Sequence, residues 1–296
     1  MKYTGKSINN LQTLCSILGS KPAELGYLSL NMNKNVRIHS VPKKNAPAEM
    51  REITAPSEKL KHIQKNIKTQ LLAKYSYEQY VYGLGGNTLK DHALVHKGAK
   101  VLVQIDIRDF YPSISHNLVF KMWMDKFGFP ADVARILTKL TTMNGGLIQG
   151  FPTSSHIAAV VAEDFTLALN GYCNDNSMRF SQYVDDFNLS GRDINYRAVF
   201  KLVVSTGRKY GLSIKRRKTK VNSELVGKVI TGVSLIDQRT RATKDVRQRA
   251  IRALKNLSLN PNDEHSKKRV AGYAGFLKHL KKTDGKKYKK LIGKIK

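Results

Sequence analysis

The segment from Phe180 to Ser190 constrains this chain more than any other: it reads as strand, turn, strand, with two adjacent carboxylates, Asp185 and Asp186, at the turn. Phe180, Tyr183, Val184, Phe187 and Leu189 flank the pair, an apolar setting that argues against an exposed loop. Neighbouring aspartates repel each other unless something cationic lies between them. Upstream, Val101, Val103, Ile105 and Ile107 alternate, which predicts a strand with Gln104 and Asp106 on its opposite face and Asp106 at its stiff end. Two or three carboxylates on adjacent strands can hold a pair of divalent ions about 3.5–4 Å apart for in-line displacement at phosphorus. Asp106 and Asp185 are the expected bridging ligands. Successive side chains of a strand alternate, so Asp186 is expected as a weaker or outer ligand.

Charge supports a phosphate partner. Lys and Arg number 52 against 22 Asp and Glu, a formal net charge of +30, more than solubility requires and characteristic of chains that meet a polyanion. A ribosomal or membrane-surface protein would share that charge. No apolar run approaches the roughly 20 residues that span a bilayer, and no apolar signal region opens the sequence. A cytoplasmic chain with no membrane partner is therefore expected, and Cys15 and Cys173, which form no metal-type pair, fit a reducing compartment.

Along the chain, residues 1–30 read as a helical cap interrupted at Gly19 and Pro22. Val36 to Lys44 and Met50 to Thr54 read as partner strands, and Pro56 and Ser57 open a helix with Leu60, Ile63, Ile67 and Leu71 on one face. Residues 81–87, with Gly83, Gly85 and Gly86, read as a loop. Ser115 can cap a helix through Trp123, one further helix is expected from Pro152 to Leu169 and another from Tyr196 to Tyr210, and Lys228 to Leu235 forms a short β element. Residues 239–296 hold 19 Lys and Arg against 4 Asp and Glu, so 19 minus 4 gives +15, half of the net charge. Two amphipathic helices are expected there, one through Val246, Ala250, Leu254 and Leu257, the other through Val270, Tyr273, Leu277 and Leu280, while the last dozen residues fit a solvated lysine-rich tail as well as a folded element.

Six segments in order over residues 30 to 235 resemble a reverse transcriptase of the bacterial retron type. They are Val41-Pro42-Lys43-Lys44 with Arg51 to Pro56, Asp106 to Tyr111, Gln149 to Ser154, Tyr183 to Asp186, Gly211-Leu212-Ser213 with Lys218-Thr219, and Val229 to Leu235, where Ile230 stands in the valine place of a Val-Thr-Gly signature. The resemblance implies an α+β right-hand polymerase fold: a cap over 1–30, fingers and an antiparallel palm sheet with packed helices over 31–235, and a basic helical thumb over 236–296. It implies two Mg2+ ions on Asp106, Ile107, Asp185 and Asp186, with Asp106, Asp185 and Asp186 catalytic. Lys43, Arg51, Tyr111, Gln149 and Lys218 would meet the deoxynucleoside triphosphate, Tyr111 as a gate against the ribose 2′-hydroxyl. His96, Thr231, Gly232, Arg247, Arg252 and Lys278 would meet RNA or primer.

Each role has a rival. Tyr111 could be a core aromatic beside Phe110, Gln149 could bond its own loop, Lys43 and Arg51 could contact template phosphates, Lys218 could be a surface charge, and Asp109 is expected to be structural rather than catalytic. The family's Asn-Ala-x-x-His element stands here as His92-Ala93-Leu94-Val95-His96, with His92 replacing the asparagine. His92 and His96 are four apart, the spacing of a helical metal pair, yet no third ligand is evident. The resemblance further implies priming from a 2′-hydroxyl of a structured noncoding RNA that is also template, a branched RNA–DNA product (msDNA), and an effector or toxin protein held in check in antiphage defence. The length leaves no room expected for an RNase H or endonuclease domain. A group II-like or diversity-generating reverse transcriptase, a noncatalytic RNA-binding protein on the same scaffold and a ribosome-associated basic protein are the alternatives.

Overall fold

Local signals set the first elements of the computed structural model, which describes residues 2–43, 46–212, 220–222, 228–236 and 239–292. Helix α1 (Leu11–Leu18) starts where the Asn10 side chain accepts from the Thr13 amide and stops at Gly19, whose φ of 64° is open to a residue without Cβ. Pro22 then sits in the first turn of α2 (Pro22–Leu30). Strand β1 (Val36–Lys43) pairs antiparallel with β2 (Ala46–Pro56), a longer partner than expected, with Pro56 ending the strand rather than opening the helix. Ser57 caps α3 (Glu58–Asn66), which runs on through a π turn, Ile67–Leu71, and a 3-10 turn, Leu72–Lys74. Its expected stripe of Leu60, Ile63, Ile67 and Leu71 is buried.

The glycine-rich stretch is not wholly loop, because Val81–Tyr82 forms β3. A reciprocal pair of bonds between Thr88 and Asp91 then starts α4 (Leu89–Val95). After β4 (Val101–Asp106) come α5 (Phe110–Ser113), α6 (His116–Asp125), capped by Ser115 as expected, and α7 (Ala131–Thr141). Strands β5 (Thr142–Met143) and β6 (Gly146–Leu147) form a hairpin whose turn, Asn144-Gly145, has φ of 52° and 82°, the type I′ pattern. The single helix expected from Pro152 is two, α8 (Ser154–Val161) and α9 (Glu163–Asp175), separated at Ala162. Strands β7 (Arg179–Tyr183) and β8 (Asp186–Gly191) lead to α10 (Tyr196–Lys209) and β9 (Lys220–Asn222).

These strands make a five-stranded sheet in the order β3-β7-β8-β4-β9, antiparallel except for the β3–β7 pair. Phe180, Phe187, Leu189, Val103 and Ile105 face the main core with Trp123, Phe165 and the N-terminal helices, so α1 and α2 belong to that core. The opposite face is also covered. Leu102, placed by alternation beside Gln104, is fully buried in a second core with Ala93 of α4, Ile230 and Val233. Apolar residues on both faces let an antiparallel sheet lie between two layers.

That second layer is β10 (Lys228–Ile230), β11 (Val233–Ile236) and β12 (Arg239–Ala242), followed by α11 (Lys244–Leu259), α12 (Glu264–Leu280) and α13 (Lys282–Ile292). The two expected amphipathic stripes are buried or half-buried. The last helix departs from the tail reading: Tyr288 is buried and its hydroxyl donates to the Ala250 carbonyl at 2.7 Å. An expected boundary at 235/236 falls inside β11, and β10 and β11 share the core of the helices after them. At the other end, buried Glu163 accepts from Lys2 Nζ at 2.9 Å, Lys126 Nζ at 3.1 Å and the Tyr75 hydroxyl at 2.8 Å.

Candidate active site

Strand register brings the acidic residues together. Tyr183 pairs with Asp186 across β7 and β8, leaving Val184-Asp185 as a two-residue turn, and Asp106 pairs with the same Asp186 from β4 on the other side. Three strands therefore end in one row, with Asp185 at the tip. Val184 has a φ of 56°, unusual for a β-branched residue and worth about 1–3 kcal/mol of strain. Asp185 and Asp186 are exposed, whereas Phe187 behind them is fully buried. The apolar flank thus roots the hairpin rather than burying its carboxylates, which correct the sequence expectation by standing open to solvent. Asp106 is placed here by its backbone. Ile107 buries its side chain, so only its main-chain carbonyl could serve as a ligand. No cluster of three potential ligands occurs among the described residues, but carboxylate and carbonyl oxygens on converging strands are the donor set a hard divalent cation takes.

Behind the acidic tip lies a buried polar layer that the sequence only hinted at. Asp186 Oδ2 accepts from Thr231 Oγ1 at 3.3 Å, and Thr231 Oγ1 lies 3.1 Å from His92 Nδ1. His92 Nε2 is 2.8 Å from Ser181 Oγ, which is 2.7 Å from His96 Nε2, and His96 Nδ1 is 2.8 Å from Ser190 Oγ. Asn188 Nδ2 reaches His92 Nε2 at 3.4 Å, while its Oδ1 accepts from Gln104 at 3.1 Å. Burial pushes His92 down to about 4 and His96 down to about 3, the latter helped by His92 and Arg179, so both rings are neutral at pH 7. The signal available in the sequence was polar residues at alternate positions, Ser181 on β7 and Asn188 and Ser190 on β8, within strands otherwise apolar.

This layer corrects two expectations. His96 is fully buried with both nitrogens engaged, so it does not contact RNA. Every ring nitrogen of His92 and His96, the pair spaced four apart, bonds a hydroxyl. Thr231 and Gly232 form the two-residue turn between β10 and β11, with φ of 46° and 81°. That is again the type I′ pattern, but with a β-branched residue where Asn144 stands in the other hairpin. Its hydroxyl faces Asp186 and His92 rather than standing open for a primer.

Tyr111 packs beside Phe110, as the core-aromatic reading expects. Half-buried against Phe110 at 5.6 Å between ring centroids, it places its hydroxyl 3.0 Å from Ser155 Oγ; burial first and Asp185 second raise its pKa. Gln149 exposes its side chain while its carbonyl accepts from the Thr54 amide at 3.2 Å, tying the loop to β2 by backbone rather than side chain. Gly150 follows with a φ of 117°, and a Cβ there would overlap the Thr54 carbonyl oxygen. Arg51 pairs with Val41 in the hairpin and Lys43 ends β1; nothing of their side chains, nor any part of Lys218, lies in the described set. Asp109 starts α5 at a φ of 44°. Arg247, Arg252 and Lys278 are exposed on α11 and α12.

Beside this row of aspartates at the shared end of three strands stands the family match: a profile of the reverse transcriptase (RNA-dependent DNA polymerase) family covers residues 41–268. The chain belongs to that family. Its similarity to curated proteins places it with the retron type. The retron Se72 reverse transcriptase of Salmonella heidelberg is 29% identical over 225 residues, 74% of this chain and 59% of its own length. The retron Ec86 and Ec83 reverse transcriptases of Escherichia coli are 25% and 24% identical over 292 and 282 residues, covering 96% and 87% of this chain and 88% and 89% of theirs. This chain thus spans less than two thirds of the Se72 protein and most of the other two. No described helix is long and apolar enough to cross a membrane.

Proposed function

We propose that this protein is an RNA-directed DNA polymerase that copies a structured noncoding RNA, using a 2′-hydroxyl of that RNA as primer and leaving a branched RNA–DNA product. The observation that carries the reading is the register that sets Asp106 beside Asp186, with Asp185 at the adjoining tip. Asp106, Asp185, Asp186 and the Ile107 carbonyl would hold two Mg2+ ions, which when bound lower the pKa of the attacking hydroxyl and neutralise charge on the triphosphate. The chain's own part is positional. Tyr111 would stand under the incoming sugar as the 2′-hydroxyl gate, the Gln149-Gly150 loop would lie beneath the nucleotide, and Lys43, Arg51 and Lys218 would meet its phosphates.

In this reading β1–β2 and the elements around it are fingers, the five-stranded sheet with α8 and α9 is palm, and the exposed Arg247, Arg252 and Lys278 lie on a thumb that follows the RNA backbone. A cytoplasmic setting and an effector protein of the same system, in antiphage defence, are further parts of this proposal, implied by the resemblance of the six sequence segments to the retron type. Purified protein with primed RNA, magnesium and deoxynucleotides should synthesise DNA, and Asp185→Ala combined with Asp186→Ala should reduce synthesis to background. Undiminished synthesis in the double variant would overturn the site. Sequencing the nucleic acid that copurifies tests the finer claim: a short DNA joined to RNA through a branch supports it, and unbranched nucleic acid alone refutes it.

A further inference from the structure

The bonds behind Asp186 form one continuous chain, and the carboxylate at its end fixes its direction. An ionised carboxylate only accepts, so Thr231 must donate its single hydroxyl proton to Asp186. Thr231 must then accept from His92 Nδ1–H. A neutral imidazole protonated on Nδ1 has a lone pair on Nε2, which takes the Ser181 hydroxyl proton and faces the Asn188 amide. Ser181 in turn accepts from His96 Nε2–H, and His96 Nδ1 accepts from Ser190. Between the accepting carboxylate of Asp186 and the donating hydroxyl of Ser190, Thr231, His92, Ser181 and His96 each donate once and accept from the next member, so one arrangement of protons satisfies the line. From His92 inward the network is buried and satisfied, so breaking a link there leaves its partners unpaired in a dry setting, while the Thr231–Asp186 end reaches solvent.

Two further observations show what the chain braces. Thr231 holds a positive φ of 46° that a β-branched residue adopts only when its surroundings impose it, and that turn aims its hydroxyl at the catalytic tip. His92 also lies between two tyrosines, 5.2 Å from the Tyr82 ring and 5.4 Å from the Tyr183 ring, stacked on the latter at 29°. Beside it Gly83, with a φ of 83°, leaves room for Tyr183, because a Cβ there would come within 2.8 Å of that ring.

We propose that His92 is a positioning residue for the catalytic turn: through Thr231 it fixes the orientation of Asp186, and with its face it seats Tyr183. It touches neither nucleotide nor metal. The inference rests on the reading of Asp186 as a metal ligand, and the test separates the two.

Manganese binding to the enzyme–RNA complex, followed by electron paramagnetic resonance, is measured beside kcat, nucleotide KM and RNA affinity for Asp186→Asn, Thr231→Val, Thr231→Ser, His92→Phe and the Thr231→Val, His92→Phe pair. Thr231→Val keeps the branched shape and loses only the hydroxyl. It should lower kcat and raise the manganese midpoint on the order of tenfold, the effect of one hydrogen bond to a charged group. Nucleotide KM and RNA affinity should stay within about twofold, and Thr231→Ser should recover most of the loss. His92→Phe keeps an aromatic face and should show the same pattern, with the pair no worse than the worse single variant, because the two residues act in series.

Unchanged kcat and manganese midpoint in Thr231→Val, or losses that add in the pair, would overturn the inference while Asp186→Asn still weakened manganese binding. If Asp186→Asn itself left manganese binding unchanged, the metal reading would fall and the inference with it. Should His92→Phe not fold, the contrast between Thr231→Val and Thr231→Ser decides alone.

Discussion

Acidification from pH 8 to pH 5 should loosen this fold through its buried imidazoles, His96 foremost. Burial, with His92 and Arg179 adding to it, holds His96 at about 3 in the folded chain, against the usual 6.5 when unfolded. Because the folded value is the lower one, the unfolded chain takes up the proton first. The stabilising contribution is therefore complete above about 6.5 and is lost as the pH falls from there toward 3. At pH 5 nearly every unfolded chain and almost no folded one carries this proton. The loss is then about 1.4 kcal/mol per pH unit over roughly 1.5 units, or about 2 kcal/mol. His92, held at about 4 by burial, loses nearly as much. Together they remove about 4 kcal/mol from a total that is typically about 5–15 kcal/mol. Denaturant unfolding of wild type and His96→Gln at steps from pH 8 to pH 5 isolates the first share. The variant should start less stable, since its amide cannot reproduce both serine bonds, yet lose about 2 kcal/mol less across the interval. Equal losses would refute a neutral, buried imidazole at this position.

Other changes probe the remaining features. Glu163→Gln should lower stability by about 1–3 kcal/mol in urea unfolding, because it leaves two half-exposed ammonium groups facing a neutral amide where Lys2, Lys126 and Tyr75 now share a carboxylate. Gly150→Ala forces a Cβ onto the Thr54 carbonyl at a φ of 117°, so the loop should shift and nucleotide KM should rise more than stability falls. Tyr111→Ala should let ribonucleotides into the product while Tyr111→Phe should not, since the gate needs the ring and the hydroxyl is held by Ser155. Replacing Arg247, Arg252 and Lys278 by Gln should weaken RNA binding and reduce the slope of log affinity against log salt by up to about 3 if all three meet phosphates.

The acidic row was legible because it depends on local rules: alternation placed Asp106 at a strand end, and an apolar hairpin put Asp185 at a tip. Helix starts were legible for the same reason at Ser57 and Ser115, where a side-chain oxygen takes a free amide. The Asn144-Gly145 hairpin carried a clear turn signature that the reading by apolar period passed over. What stayed hidden depends on distant partners. Leu102 shares its strand face with Gln104, and only Ala93, Ile230 and Val233 from other elements show that this face is covered. The sequence offered His96 as an RNA contact, and only the approach of Ser181, Ser190 and Thr231 from three other elements shows His92 and His96 as core. The break at Ala162 and the helix that buries Tyr288 were likewise matters of packing, since neither is marked by proline or by a long apolar stripe.

The hairpin of β10 and β11 shares its core with the C-terminal helices yet touches Asp186 of the acidic row through Thr231. Anyone exchanging the basic helices between relatives, to redirect which RNA is copied, therefore has a seam to respect. A graft joined after residue 236 would set foreign helices against Ile230, Val233 and Leu235. One that begins before Lys228 would keep the apolar contacts but bring a foreign partner to Asp186. Chimeras that carry 228–292 together with the α4 segment as a single cassette should retain polymerase activity where shorter swaps lose it.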